Sequence, residues 1–348
     1  MEWEKEKQLI GEWEGNQMAE EIRNILVVGA GVMGSAISQV FAANGYETVM
    51  ADLKEEFLET ALERIETNID GMMEENLADG SYREAVHKNL TTILNSGIPE
   101  TADRFDLVVE VIFENKDAKR ELYQILSDNC RPDCIFASNT SGMDVFAVTK
   151  DILKNPERLI ITHWFNPPHL MKIIEVVKGP ETSDETVDKV RKFLEACGKK
   201  PAVLGKFMPG FIVNRMATVI CRELYYMVEQ GWVSPRDAEN ALKYTDGLRW
   251  SFEGPLELWD FVGLEIPITV AAGVMPTLCN RTDSIPYGDK LIAEGKTGVR
   301  AGEGMLGKYP ADVDGYVKKR NRRIVAMYKM MNQFEEEDAG EITGEPAE

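Results

Sequence analysis

Apolar residues along this chain follow two different periods, and the change from one to the other divides it. Ile25-Leu26-Val27-Val28 is an unbroken apolar run ending at Gly29, as expected for a strand buried on both faces of a parallel sheet. Small and apolar residues over 32–43 predict a helix, and YETVMAD (46–52) a second strand. A long helix follows from about Glu55 to Leu77, then a polar break at Ala78-Asp79-Gly80-Ser81. LTTIL, DLVVEVI, CIFAS, RLIITHWF, MKIIEVV and PAVLG read as further strands, most of them separated by helical stretches. That alternation predicts an α/β domain, a doubly wound and mostly parallel sheet of the Rossmann type. After Lys206-Phe207-Met208-Pro209-Gly210 the texture changes: residues 211–231 are spaced for one helix face, and Ser234-Pro235 is a helix-start signal. From there to about Phe334 nothing reads as a strand. The expected organisation is a polar extension over 1–22 (a helical arm or a partly disordered segment), the sheet domain over 23–205, an all-helical domain over 206–334, and a disordered acidic tail over 335–348.

Composition narrows the function classes. With 348 residues, 44% hydrophobic and 28% charged, the chain is ordinary for a globular protein with two cores. A net charge of -20 argues against nucleic acid and anionic membrane surfaces as partners. A polyanionic ligand must then be held by backbone N–H groups or a few placed cations. Five cysteines, with no CxxC pair, point to a reducing compartment, and Cys130 and Cys134 are too isolated for a zinc site, so no metal is expected. The first residues are acidic without an apolar stretch, unlike a secretory signal, and no apolar run has the ~18 residues of a membrane span. A cytoplasmic enzyme is the expectation.

Gly29-Ala30-Gly31-Val32-Met33-Gly34 is a GxGxxG between a predicted strand and a predicted helix. The first glycine permits the tight turn, the second lets backbone approach a pyrophosphate, and the third lets helix pack on strand. Alone the motif is weak. Asp52, ending the second strand, has the spacing of the carboxylate that accepts the ribose hydroxyls of NAD, about 20 residues on. A carboxylate there repels a 2′-phosphate, which favours NAD over NADP; the plainer alternative is that Asp52 only caps a helix. Of the three histidines, His163 and His169 lie in HWFNPPHLMKIIEVVKG, with Glu175 after them. A turn near His169 pairs 160–166 with 172–178 and sets His163 opposite Glu175, about 5 Å apart at Cβ. A carboxylate so placed holds the imidazole in one tautomer and stabilises its protonated form, which suits proton removal from an alcohol that loses hydride. The commoner fate of such residues is a satisfied core histidine beside an exposed glutamate.

GAGVMGSAISQVFAANG, DLVVEVIFEN, ASNTSGM, HWFNPP, MKIIEVVKG and PGFIVNR occur in order. As a set, from about Ile22 to Pro310, the chain resembles the L-3-hydroxyacyl-CoA dehydrogenase family. The resemblance implies a Rossmann domain plus a helical domain that makes a homodimer, and a role in fatty acid metabolism. It makes His163 the catalytic base and Glu175 its partner. Ser141 would hydrogen-bond the substrate oxygen and Asn214 would help orient it. Glu110, Asn115 and Asn166 would line the nicotinamide half of NAD, and Arg300 would reach the cofactor from the helical domain. Relatives that use CoA carry lysines near the tip of the helix after the second strand, where this chain has Glu74 and Glu75. Its stretch VEQGWVSPRDAENALKYTDGLRWSFEGPLE is closer to the lambda-crystallin/L-gulonate and carnitine dehydrogenase branch, which oxidises CoA-free hydroxy acids. The reading taken is oxidation of a short-chain 3-hydroxyacyl-CoA by NAD. The alternatives are a CoA-free 3-hydroxy acid as substrate and a non-catalytic, crystallin-like scaffold. The basic run KKRNRR (318–323) reads as a solvated helix face before it reads as an anion site or a subunit contact.

Overall fold

The computed structural model describes residues 22–337. The expected extension lies outside them apart from Ile22, and the acidic tail lies outside them beyond Glu337. The described chain divides between Val213 and Asn214 into two compact units.

The first unit is built on strands β1 (Asn24–Val28), β2 (Glu47–Asp52), β3 (Leu90–Leu94), β4 (Leu107–Glu110), β5 (Ile135–Ser138), β6 (Leu159–Trp164), β7 (Ile173–Lys178) and β8 (Lys200–Leu204). They form one sheet in the order β3-β2-β1-β4-β5-β6-β7-β8. Every neighbouring pair is parallel except β6–β7. β4, β5 and β6 are buried along their whole length, which is why they read as unbroken apolar runs and not as alternation. Strand order reverses between β1 and β4, and open α/β sheets bind ligands outside the C-terminal strand ends at such a point.

Helix α1 (Val32–Ala43) is buried from Gly34 onward, because its small residues let it lie between the sheet and the helices outside it. α2 (Glu55–Glu74) faces it with Leu58, Ala61, Ile65, Ile69 and Met72, spaced for one helix side. The expected polar break is a tight turn: Asn76 takes φ +56°, and the Asp79 side chain accepts from the N–H groups of Ser81 and Tyr82 to start α3 (Gly80–Asn89). α4 (Ile98–Thr101), α5 (Lys116–Asn129), α6 (Val145–Thr149) and α7 (Asp184–Ala196) complete the unit.

The second unit comprises α8 (Val213–Glu229), α9 (Pro235–Lys243), α10 (Asp246–Arg249), α11 (Pro255–Val262), α12 (Glu265–Val274), α13 (Pro286–Ala293) and α14 (Val313–Glu337). As expected, Ser234 caps α9, accepting from the Asp237 N–H. Three expectations need correction. This unit is not wholly helical, because β9 (Glu303–Gly304) pairs antiparallel with β10 (Gly307–Lys308). That hairpin turns at Met305-Leu306, flanked by Gly302 (φ +77°) and Gly307 (φ +105°), and is too short for a period to show in sequence. The last helix runs past Phe334, where the tail was expected to begin. The boundary expected near 205 falls at 213, since Phe211 belongs to the core of the sheet unit. Among the described residues no single helix is long and apolar enough to cross a membrane.

Candidate active site

The glycine motif is built as a cradle. Gly29 sits at φ +110°, and a Cβ there would lie 2.6 Å from the Val111 carbonyl oxygen. A Cβ on Gly34 would lie 1.7 Å from the Gly29 carbonyl oxygen, so only glycine lets α1 pack on this turn. Around Gly31 a Cβ would meet nothing within 4 Å. That space adjoins the first turn of α1, where Val32 and Met33 begin the helix with no side-chain cap and no acidic residue. Uncapped N–H groups at a helix start favour an anion, as a pyrophosphate requires. Asp52 is fixed against this loop: its Oδ2 accepts from Ala30 N (2.6 Å) and its Oδ1 from Leu53 N (2.6 Å). Each oxygen keeps a lone pair for a ribose hydroxyl. These residues fit NAD. Arg64, a cation within the strongly acidic α2, also reaches the loop, donating from Nη1 to Ala30 O (3.4 Å) and Ser35 Oγ (3.5 Å). It escapes a sequence reading because its target lies on another helix.

β6 and β7 pair in the register that sets His163 opposite Glu175. Glu175 is fully buried and His163 is 6% exposed. The imidazole Nδ1 lies 2.7 Å from Glu175 Oε2. The other oxygen, Oε1, accepts from Ile212 N and Val213 N, both at 2.8 Å. These are N–H groups at the start of α8, which carry no intrahelical partner and sit at the positive end of the helix dipole. Burial acts to raise the Glu175 pKa, but donation from His163 and from the Val213 and Ile212 N–H groups outweighs it and holds the carboxyl below its usual range. An ionised carboxylate only accepts, so Nδ1 carries the hydrogen it donates. The neutral ring then keeps a free lone pair on Nε2, which can take a proton. The ring is walled by Phe165 (centroids 4.6 Å apart) and Phe211 (5.4 Å). Phe211 is buried at φ +49°, next to Gly210 at +78°; this strained turn carries the chain into α8.

The remaining expected residues fall in different places. Glu110, 1% exposed at the end of β4, has no free oxygen: Oε1 accepts from Lys119 Nζ (2.6 Å) and Ile112 N (3.0 Å), and Oε2 from Ser138 Oγ (2.6 Å). Asn115 is exposed and caps α5, its Oδ1 accepting from Ala118 N (3.0 Å). Ser141 and Asn166 are exposed in the loops after β5 and β6. Asn214, half-buried in α8, and Arg300, exposed in the turn Val299–Ala301, belong to the helical unit. The sheet unit therefore assembles the glycine loop, Asp52 and His163 along its C-terminal strand ends, with Glu175 beside His163 near the start of antiparallel β7. Lys119, Glu114 and Ser138 were missed in the sequence. The available signal was a lysine on the face of α5 that also carries Leu122, Tyr123 and Leu126. Among the described residues no group of histidine, cysteine, aspartate and glutamate is placed to hold a metal ion.

Comparison with known proteins gives the following. Residues 24–207 match the family model described as 3-hydroxyacyl-CoA dehydrogenase, NAD binding domain, and residues 210–308 match its C-terminal domain. The chain is 36% identical to human mitochondrial hydroxyacyl-coenzyme A dehydrogenase over 82% of this chain and 90% of that one. It is 30% identical to a 5-formyl-3-hydroxy-2-methylpyridine 4-carboxylate 5-dehydrogenase from Mesorhizobium japonicum, over 89% of this chain and 98% of that protein. The crystal structure of an enzyme of that activity, described as an NAD+-dependent dismutase, superposes with a TM-score of 0.80 at 29% identity, covering 89% of this chain and 98% of the other.

Proposed function

The chain belongs to the 3-hydroxyacyl-CoA dehydrogenase family, an NAD-dependent oxidoreductase family, and on that premise we propose that it oxidises the 3-hydroxyl of a short-chain 3-hydroxyacyl-CoA to the 3-oxo form. The observation that carries this reading is the buried His163–Glu175 pair, at 2.7 Å, on the sheet edge that also bears the glycine cradle. NAD, when bound, supplies the hydride acceptor. Gly29, Gly31, Gly34 and the first turn of α1 would hold its pyrophosphate, and Asp52 would accept from its ribose hydroxyls. His163 Nε2 takes the hydroxyl proton, and Glu175 stabilises the resulting imidazolium. As the family resemblance implies, Ser141 would hold the substrate oxygen, Asn115 and Asn166 would contact the cofactor, and Glu110 would support their loops.

A second reading, a CoA-free hydroxy acid, is favoured by the α2–α3 hairpin. Glu74 and Glu75 occupy its tip, Arg83 is paired with Glu66 and Asp70, and His87 with Glu66. Two of its basic side chains are thus already turned to its own carboxylates. The pyridine carboxylate enzyme, matched over nearly its full length, is a relative whose named substrate carries no CoA. The two readings separate by comparing kcat/KM for 3-hydroxybutyryl-CoA, a truncated thioester and free 3-hydroxybutyrate. A preference for the CoA ester above ~100-fold means that remote binding energy is used, and establishes the first reading. Equal handling of the CoA and truncated esters, or preference for the free acid, establishes the second.

A homodimer through the helical unit is part of this reading. α12 buries no side chain, and Ile266 and Val270, one helical turn apart on one face, are both 60% exposed, an apolar face suited to a second copy. Ile266→Glu should convert the dimer to monomer in sedimentation. A wild-type monomer at micromolar concentration rejects the idea.

A further inference from the structure

Beneath the C-terminal ends of β4 and β5 lies a connected chain of polar groups that proton transfer by His163 does not use. Lys119, 1% exposed, stands between two carboxylates, with its Nζ 2.6 Å from Glu110 Oε1 and 3.5 Å from Glu114 Oε2. A buried ammonium is tolerated only where it is paired, so its place fixes the places of both carboxylates. Glu110 is the inner one, also held by Ser138. Glu114 is the outer one, with its side chain 44% exposed. Its Oε1 accepts from Thr140 Oγ1 (2.7 Å) and from Ser141 N (3.0 Å). Thr140 Oγ1 accepts in turn from Met143 N (2.9 Å). β5 ends at Ser138, so these side-chain acceptors, and not a sheet ladder, shape the turn that follows.

We propose that Glu114, anchored by Lys119, is a positioning residue of the active site: it fixes the turn that presents Ser141 to the substrate. The inference rests on the reading of Ser141 as a substrate-binding residue. Glu114 bonds the backbone of Ser141 and the neighbouring hydroxyl of Thr140. Its effect on turnover therefore operates through where the Ser141 hydroxyl stands.

A double-mutant cycle on the full-length enzyme tests this, with whichever of 3-hydroxybutyryl-CoA and 3-hydroxybutyrate it turns over. Glu114→Ala should lower kcat by about 10- to 100-fold, the scale of a misplacement of about 1 Å, while the KM for NAD and the affinity for NADH stay unchanged. Glu114→Gln, which keeps an oxygen to accept from Ser141 N, should recover most of that loss. In the double variant the losses from Glu114→Ala and Ser141→Ala should not multiply. If Ser141→Ala is impaired but Glu114→Ala is not, or if the two losses multiply, the positioning role is wrong and the reading of Ser141 stands. If Ser141→Ala turns over normally, the reading of Ser141 fails and the positioning role falls with it.

Discussion

Replacing Glu175 by Gln changes one atom type and should remove two things at once. The first is charge. Both partners are buried, the imidazole Nδ1 is 2.7 Å from Oε2, and the charge centres of an imidazolium and this carboxylate stand roughly 4 Å apart. At an effective dielectric of ~20 their attraction is about 4 kcal/mol, which corresponds to about 10^3 in rate if it is lost only after proton transfer. The second is the tautomer. The Ile212 and Val213 N–H groups require an oxygen facing them, so the new NH2 must point at His163. The imidazole then accepts at Nδ1 and carries its hydrogen on Nε2, where it cannot take a proton. Losing the correct tautomer costs on the order of 10^4 in a Ser-His-Asp enzyme. We expect Glu175→Gln to lower kcat for NADH formation by at least ~10^3, with NADH binding nearly intact. A variant within ten-fold of wild-type turnover would refute the pairing as the source of basicity.

Two further perturbations test other parts of the structure. Asp52→Ala should weaken NAD by about 2–4 kcal/mol, for one or two lost hydrogen bonds to a charged group, and erase the preference over NADP; equal kcat/KM for both cofactors in the unmutated enzyme would sink the assignment. The His169 Nδ1 is buried without a hydrogen-bond partner, and burial, aided by the Lys199 ammonium, pushes its pKa down to about 4 from 6.5. A depressed folded-state value means the unfolded chain binds the proton first, so stability is complete above pH 6.5 and is lost as pH falls toward about 4. Urea unfolding should show His169→Leu losing less stability than wild type between pH 6.5 and 5, by up to ~2 kcal/mol; identical pH dependence of the two proteins would contradict this.

The sequence by itself determined whatever depends on local period and local sterics. Parallel strands buried on both faces must be apolar throughout, so β1, β4, β5 and β6 could be read directly, and the glycine motif was legible because steric exclusion at Gly29 and Gly34 is a short-range constraint. The register that sets His163 against Glu175 was legible too, since two apolar runs with a short connection and a two-residue pleat leave few pairings. Only the tertiary structure decided how the buried charges are satisfied. Glu175 is held ionised by N–H groups of Ile212 and Val213, donors that every residue carries and that no sequence pattern marks. For the same reason the sheet unit extends to Val213, past the boundary expected near 205. Lys119 stands out only as a lysine on the apolar face of its helix; which carboxylates pair with it was decided when the fold brought Glu110 and Glu114 to it from outside that helix. Neutralising a buried charge depends on distances across the fold, and one-dimensional spacing does not encode them.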